Sequence, residues 1–389
     1  MKSMKFLSSP YLPSLLIAVI AVFVVATVAI AEDGVTADKV VVGQSCALTG
    51  PAEALGTGMR AGLEACFDKA NAEGGINGRK IQLISKDDGY EPDRAIQNAR
   101  DLIEKDKVFL LIGEVGTPTS KAVVPIAEKS KIPFFGPFTG AEFLRNPCRR
   151  YVINVRGSYF QEMEKLVEYL VDKQGLKNIA CLYQNDGYGQ AGLQGLEKAL
   201  DKRSMKLAAT GTYERNTVAV KGALLKIRKV KPDAVVMVGA YKPCAEFIKL
   251  AKKLGMKDTI YCNISFVGTD ALRKELGEAG EGCIISQVVL FPWDDSVSMV
   301  KEYQETMKKY RPKAKVGFVS LEGYMVGKLF CMALKNVDGE PTREKLIKAI
   351  DDTGKYDLGQ VTLEYGEDDH QGMDQVYLTV IKDGEIDPL

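Results

Sequence analysis

From Val40 to the end of this 389-residue chain, short runs rich in β-branched residues alternate with longer segments of helical period. Strand and helix in steady succession build a largely parallel sheet covered by helices on both faces. The first series predicts strands at 40–45, 81–85, 109–112, 133–136 and 151–155, with helices at 58–72, 92–105 and 118–131. Gly74 and Gly75 stop the first of these helices, and Pro92 and Pro118 open the next two. The second series predicts helices at 159–173, 188–203, 218–230, 243–254 and 269–276, interleaved with strands at 178–183, 206–212, 234–239, 259–262 and 283–289. Helices at 297–310, 319–336 and 343–352 and strands at 360–364 and 375–382 close the chain. A break near 155–158 separates the two series. The expected fold class is α/β, with two doubly wound parallel-sheet lobes. Such sheets bind ligands beyond the carboxyl ends of their strands, so the loops after strands are where function is sought.

The first 31 residues stand outside this pattern. Lys2 and Lys5 precede an uncharged apolar run, Leu15 to Ile30, that ends in Ala29-Ile30-Ala31. Basic start, apolar middle and small-residue exit read as a secretory signal peptide, residues 1–31, cut near Ala31. The run is short for a membrane span of roughly 20 residues. Export to the periplasm is therefore expected. The balance of 52 basic and 51 acidic residues, net +1, argues against nucleic acid or an anionic membrane surface as partner.

Chemistry by the usual sets is poorly supplied. The eight cysteines form no CxxC pair, which speaks against zinc and thioredoxin-like sites and leaves buried thiols and disulfides both open. The one histidine, His370, lies in Glu367-Asp-Asp-His-Gln-Gly372 and reads as a solvated turn residue. Gly56-Thr-Gly58-Met-Arg-Ala-Gly62 misses the dinucleotide spacing, and its glycines read better as points of close helix packing. Neither a P-loop nor a G-x-S-x-G elbow occurs. The expectation is a protein without cofactor, metal or catalysis.

Two post-strand loops of the first series carry a different signal. Gly113-Glu-Val-Gly-Thr117-Pro118-Thr-Ser120 leads from a buried strand into a helix, with Thr117 at the expected N-cap and Pro118 at the first helical position. Gly136-Pro-Phe138-Thr139-Gly140-Ala141 ends the neighbouring strand. Exposed amides and threonine hydroxyls on adjacent loops suit a small carboxylate. Tyr188 and Tyr241 follow strands of the second series, placed to close over such a ligand.

Taken together, these residues resemble the type I periplasmic solute-binding proteins of the leucine/isoleucine/valine class, which serve ABC importers. The carriers are Val41-Val-Gly-Gln-Ser-Cys-Ala-Leu-Thr-Gly-Pro51, Ala72-Glu-Gly-Gly-Ile-Asn-Gly-Arg79, Asp87-Asp88 with Pro92 and Ala95, the Gly-Thr-Pro-Thr-Ser stretch, 183–189, and Ser320-Leu-Glu-Gly-Tyr324. The resemblance implies two lobes joined by three hinge crossings, 33–156 with 291–356 and 157–290 with 357–389. It implies a ligand in the interlobe cleft, hinge closure, a monomer, and a permease in the inner membrane as partner. Thr117, Phe138, Thr139 and Gly140 match the family's carboxylate clamp, and Tyr188 and Tyr241 its second-lobe tyrosines. Leu55 stands where an aromatic is frequent. The acidic contacts to a ligand amine match Ser265 and Tyr159, neither of them acidic. Either Glu114 or Glu322 takes that role, or the ligand is a small aliphatic or aromatic acid, or an amide or urea, walled by Phe138, Tyr159, Tyr241 and Phe266. A sensory module signalling through a membrane receptor would use the same cleft, and a hydrolase on this scaffold would need a nucleophile–base pair that is missing.

Overall fold

The computed structural model describes residues 32–389, which form one compact unit; the signal peptide expected at 1–31 lies outside the described residues. The first sheet is assembled from β1 (Lys39–Cys46), β2 (Lys80–Asp87), β3 (Leu111–Ile112), β4 (Phe134–Phe135) and β5 (Val152–Ile153). Its order is β2-β1-β3-β4-β5, and all pairings are parallel. Between these strands run α1 (Glu53–Ala72), α2 (Pro92–Glu104) and α3 (Thr117–Lys129).

The second lobe begins with α4 (Tyr159–Val167), which Ser158 and Gln161 start with a reciprocal capping box and which runs on as a π-helical turn to Lys173. It continues through β6 (Ile179–Gln184), α5 (Gly187–Asp201), β7 (Ala209–Tyr213), α6 (Lys221–Arg228) and β8 (Ala234–Val238). Then follow α7 (Tyr241–Lys253), β9 (Ile260–Asn263), α8 (Thr269–Leu276) and β10 (Ile284–Gln287). Ala-Val-Val-Met-Val of β8 is buried throughout, as the apolar run of a central parallel strand requires.

The chain then returns to the first lobe as α9 (Ser298–Tyr310), α10 (Phe318–Lys335), α11 (Arg343–Thr353) and the hairpin β11 (Lys355–Asp357) and β12 (Thr362–Glu364). It crosses a third time to add β13 (Tyr377–Lys382) and β14 (Glu385–Pro388) antiparallel at the edge of the second sheet. That sheet reads β14-β13-β10-β9-β8-β6-β7. The hairpin bonds to the start of α9, with Met299 N donating to Gly359 O and Ser298 N to Gln360 Oε1.

The glycines of α1 do pack helices. A Cβ at Gly62 would stand 2.0 Å from Ser320 O, and one at Gly323 would stand 2.2 Å from Met59 O, so α1 and α10 touch backbone to backbone. Some details differ from the sequence reading or settle what it left open. Helix α1 starts at Glu53, five residues early: Glu53 N bonds back to Gly50 O in the turn that leads into it, and Leu55 is already buried. His370 is buried, not solvated: Nε2 lies 3.0 Å from Asp351 Oδ1, and Nδ1 faces the carbonyls of Arg149 and Val152 at 3.1 Å. Three polar partners offset its burial at the third crossing. All eight cysteines are free thiols, seven of them buried, and burial pushes the Cys283 thiol up to about 12.

Candidate functional site

The loops after β3 and β4 lie side by side, with Phe138 N donating to Glu114 O. Gly116, not Thr117, caps α3, with φ 111°; Thr117 is the first helical residue and Pro118 the second. A side chain at position 116 would also strike the ring of Tyr90, 2.3 Å away, so glycine serves both turn and contact. The turn leaves the Thr117 hydroxyl 2.7 Å from that of Thr139, and both face Tyr159 OH, at 3.5 and 3.2 Å. Gly140 lets Tyr159 approach: a Cβ there would meet the tyrosine ring at 2.6 Å. Three hydroxyls thus converge where the first lobe meets the first helix of the second.

Aromatic rings close over them from both lobes. Phe266 lies 4.5 Å from Tyr188, 5.5 Å from Phe138 and 5.9 Å from Tyr90, and Tyr188 lies 5.6 Å from Tyr159. Thr117, Phe138, Thr139, Gly140, Tyr159, Tyr188 and Ser265 therefore form one neighbourhood. Tyr241 does not join it. It packs with Val267 and Leu272 in a separate cluster, against Ala54 of α1.

Two charged residues at the centre escaped the sequence reading. Arg156, at the first crossing, and Glu162, on α4, both have 0% side-chain exposure. Glu162 accepts from Ser265 N at 2.7 Å, Ser265 Oγ at 3.0 Å and Ser286 Oγ at 2.6 Å. It therefore lies directly against Ser265. The Arg156 guanidinium contacts Ser265 Oγ, lies 3.8 Å from Glu162 and 3.5 Å from Glu322, and sits 4.7 Å over the Phe138 ring. Its Nε and Nη1 have no hydrogen-bond acceptor, since the Glu322 approach is a charge contact off hydrogen-bond geometry. Arg145 braces the same crossing, donating to the carbonyls of Ala141, Thr139 and Arg156 and to Gln371 Oε1. The signal was present in both cases: Arg156 directly follows the apolar stretch 151–155, and Glu162 lies one helical turn beyond Tyr159.

Toward the rim, Asn216 donates to Glu91 at 2.6 Å and Arg215 pairs with Glu91 at 2.8 Å, tying the second lobe to the first. On the opposite side Asp270 of α8 meets the backbone of Phe318 at the start of α10. A groove of about 400 Å³ beside Asp270, lined by Leu55, Gly268 and Lys315, marks that edge.

Burial raises five carboxyls: Asp88 to about 6, Asp270 to about 6 and Glu322 to about 7, with Arg156 opposing the last, and Glu114 and Glu162 as well. Each holds its proton more tightly folded than unfolded. Their contribution is complete below about pH 4 and declines as pH rises toward 7. Urea midpoints taken from pH 5 to 8 are expected to fall, and Glu322→Gln is expected to flatten the upper half of that slope.

The arrangement is two largely parallel sheets with a buried, polar, aromatic-walled junction between them. The model of one protein family, described as periplasmic binding protein, matches residues 39–385. This chain belongs to that family. Its relatives place this binding protein in the type I, leucine/isoleucine/valine class. Leu/Ile/Val-binding protein homolog 7 of Brucella abortus is 26% identical over 335 residues, 82% of each chain. A solved structure of a possible leucine/isoleucine/valine-binding protein from Rhodopirellula baltica superposes with TM-score 0.86 at 37% identity, over 93% of this chain and 98% of that one. A substrate-binding periplasmic protein from Ralstonia solanacearum gives 0.85 at 26%, over 90% and 99%. The family is one of binding proteins, not enzymes.

Proposed function

We propose that this periplasmic binding protein captures a small carboxylate-bearing molecule between its lobes and delivers it to an ABC permease in the inner membrane, after export and removal of residues 1–31. The observation that carries this reading is the convergence of Thr117, Thr139 and Tyr159 hydroxyls at the lobe junction, in a chain whose relatives are named for leucine, isoleucine and valine. In this reading a ligand carboxylate replaces the hydroxyl–hydroxyl contacts, and the rings of Phe138, Tyr188 and Phe266 enclose its apolar part. The lobes are 33–156 with 291–356 and 157–290 with 357–389. The hairpin's bonds to α9 favour carrying the first lobe on through Glu364, which moves the third crossing to 365–376. Binding draws the lobes together about the three crossings, and Glu91 with Arg215 and Asn216 latches the rim.

A thermal-shift screen of purified protein, unfolded and refolded to strip carried ligand, tests the reading. Ligand at 100 times its dissociation constant adds about 2.7 kcal/mol when the unfolded chain does not bind it. In the Thr117→Ala, Thr139→Ala double variant each lost hydrogen bond to a carboxylate weakens binding by about 1.5–3 kcal/mol. Undiminished affinity in that variant rejects the clamp.

A further inference from the structure

We infer that Arg156 is a ligand-contacting residue, and that it selects organic acids bearing an oxygen acceptor, as in 2-oxo and 2-hydroxy acids, over the matching α-amino acids. The inference rests on the proposed carboxylate-binding cleft and names the chemistry at its second pole.

Its guanidinium is wholly buried and lies among the residues that build the cleft: over Phe138, against Ser265, and facing Glu162 and Glu322. Buried polar groups are ordinarily satisfied, and an arginine carries only donors. Two of its three nitrogens, Nε and Nη1, have no acceptor. The one chain oxygen near Nε, Glu322 Oε1 at 3.5 Å, is a charge contact off hydrogen-bond geometry, so both nitrogens can take an oxygen from a ligand. A ligand ammonium cannot serve, because it too has only donors and carries the same charge. Nor does Glu162 await an ammonium. One of its oxygens takes Ser265 N and Ser286 Oγ, and the other takes Ser265 Oγ beside the guanidinium. Arg156 thus sets a cation of the protein's own between Glu162 and Glu322. A carbonyl or hydroxyl oxygen next to the ligand carboxylate can accept from the free guanidinium N–H groups, while Thr117 and Thr139 hold the carboxylate.

Calorimetric titration of the stripped protein at pH 7 compares L-leucine with 4-methyl-2-oxopentanoate, and L-phenylalanine with phenylpyruvate. The 2-oxo acid of at least one pair is expected to bind ten-fold or more tighter than its amino acid. Arg156→Met is expected to lose on the order of 100-fold in 2-oxo-acid affinity while amino-acid affinity holds or rises. Wild-type preference for the amino acids, or an unchanged ratio in Arg156→Met, overturns the inference and leaves the carboxylate cleft standing. Failure of every acid in the panel to bind overturns both. Should Arg156→Met not fold, Arg156→Lys keeps the charge with a different donor geometry. Roughly ten-fold weaker 2-oxo-acid binding is then expected, and undiminished affinity rejects the role.

Discussion

Replacing Gly62 with valine is expected to cost about 3 kcal/mol, the upper end of ordinary overpacking. The reason is which atoms stand in the way. A Cβ at this position meets Ser320 O at 2.0 Å and Tyr324 N at 2.6 Å, both backbone atoms of α10. A side chain in the path can rotate aside; a helix backbone has to translate. Moving α10 would open its packing along the whole of α1, where Met59, Leu63, Phe67, Tyr324 and Phe330 lie in the core. Gly323 faces Met59 O in the reciprocal way, so Gly323→Val should cost a similar amount. Urea denaturation gives the number. Gly222→Ala, in α6 with nothing within 4 Å of its Cβ, is the control and should gain roughly 0.5–1 kcal/mol. A loss below about 1 kcal/mol at Gly62 would mean the two helices can separate cheaply.

Glu162→Ala is expected to cost about 3–5 kcal/mol, the range for breaking a buried ion pair from one side. The carboxylate holds three donors and faces a fully buried guanidinium. Its removal leaves the Ser265 amide without its acceptor and Arg156 with Glu322 alone as counter-charge. Arg156→Met in the same background removes the charge that has lost its partner, so the double variant should be less destabilised than the sum of the singles. Equilibrium unfolding of the four proteins in that cycle measures the coupling, and strict additivity would show that the pair does not interact.

Much of the fold could be read in advance because parallel strands announce themselves. Ala-Val-Val-Met-Val of β8 and Lys-Val-Val-Val of β1 are apolar runs bounded by turns, and each precedes a periodic helical stretch. The strands that were missed, β11 and β14, are three and four residues long with alternate positions exposed, too brief for any period to show. The site was legible where it depends on loops following strands: Thr117, Phe138 and Thr139 lie within one or two turns of strand ends. It was illegible where it depends on distant segments meeting. Glu162 answers for Ser265 across 103 positions, and His370 is buried only because Asp351 and the carbonyls near Arg149 reach it. Composition marks such residues as surface; their burial follows from partners that no local window contains.

The contact of α1 with α10 also fixes an order of assembly. Gly62 and Ser320 belong to one interface, yet everything that builds the second sheet up to β10 lies between them in the chain. The first sheet can emerge and pair early, but one face stays bare until the last third of the polypeptide arrives. Closing so long a loop is slow, so the first lobe is the one that must wait: its sheet can pair early but cannot bury that face until α10 has been made.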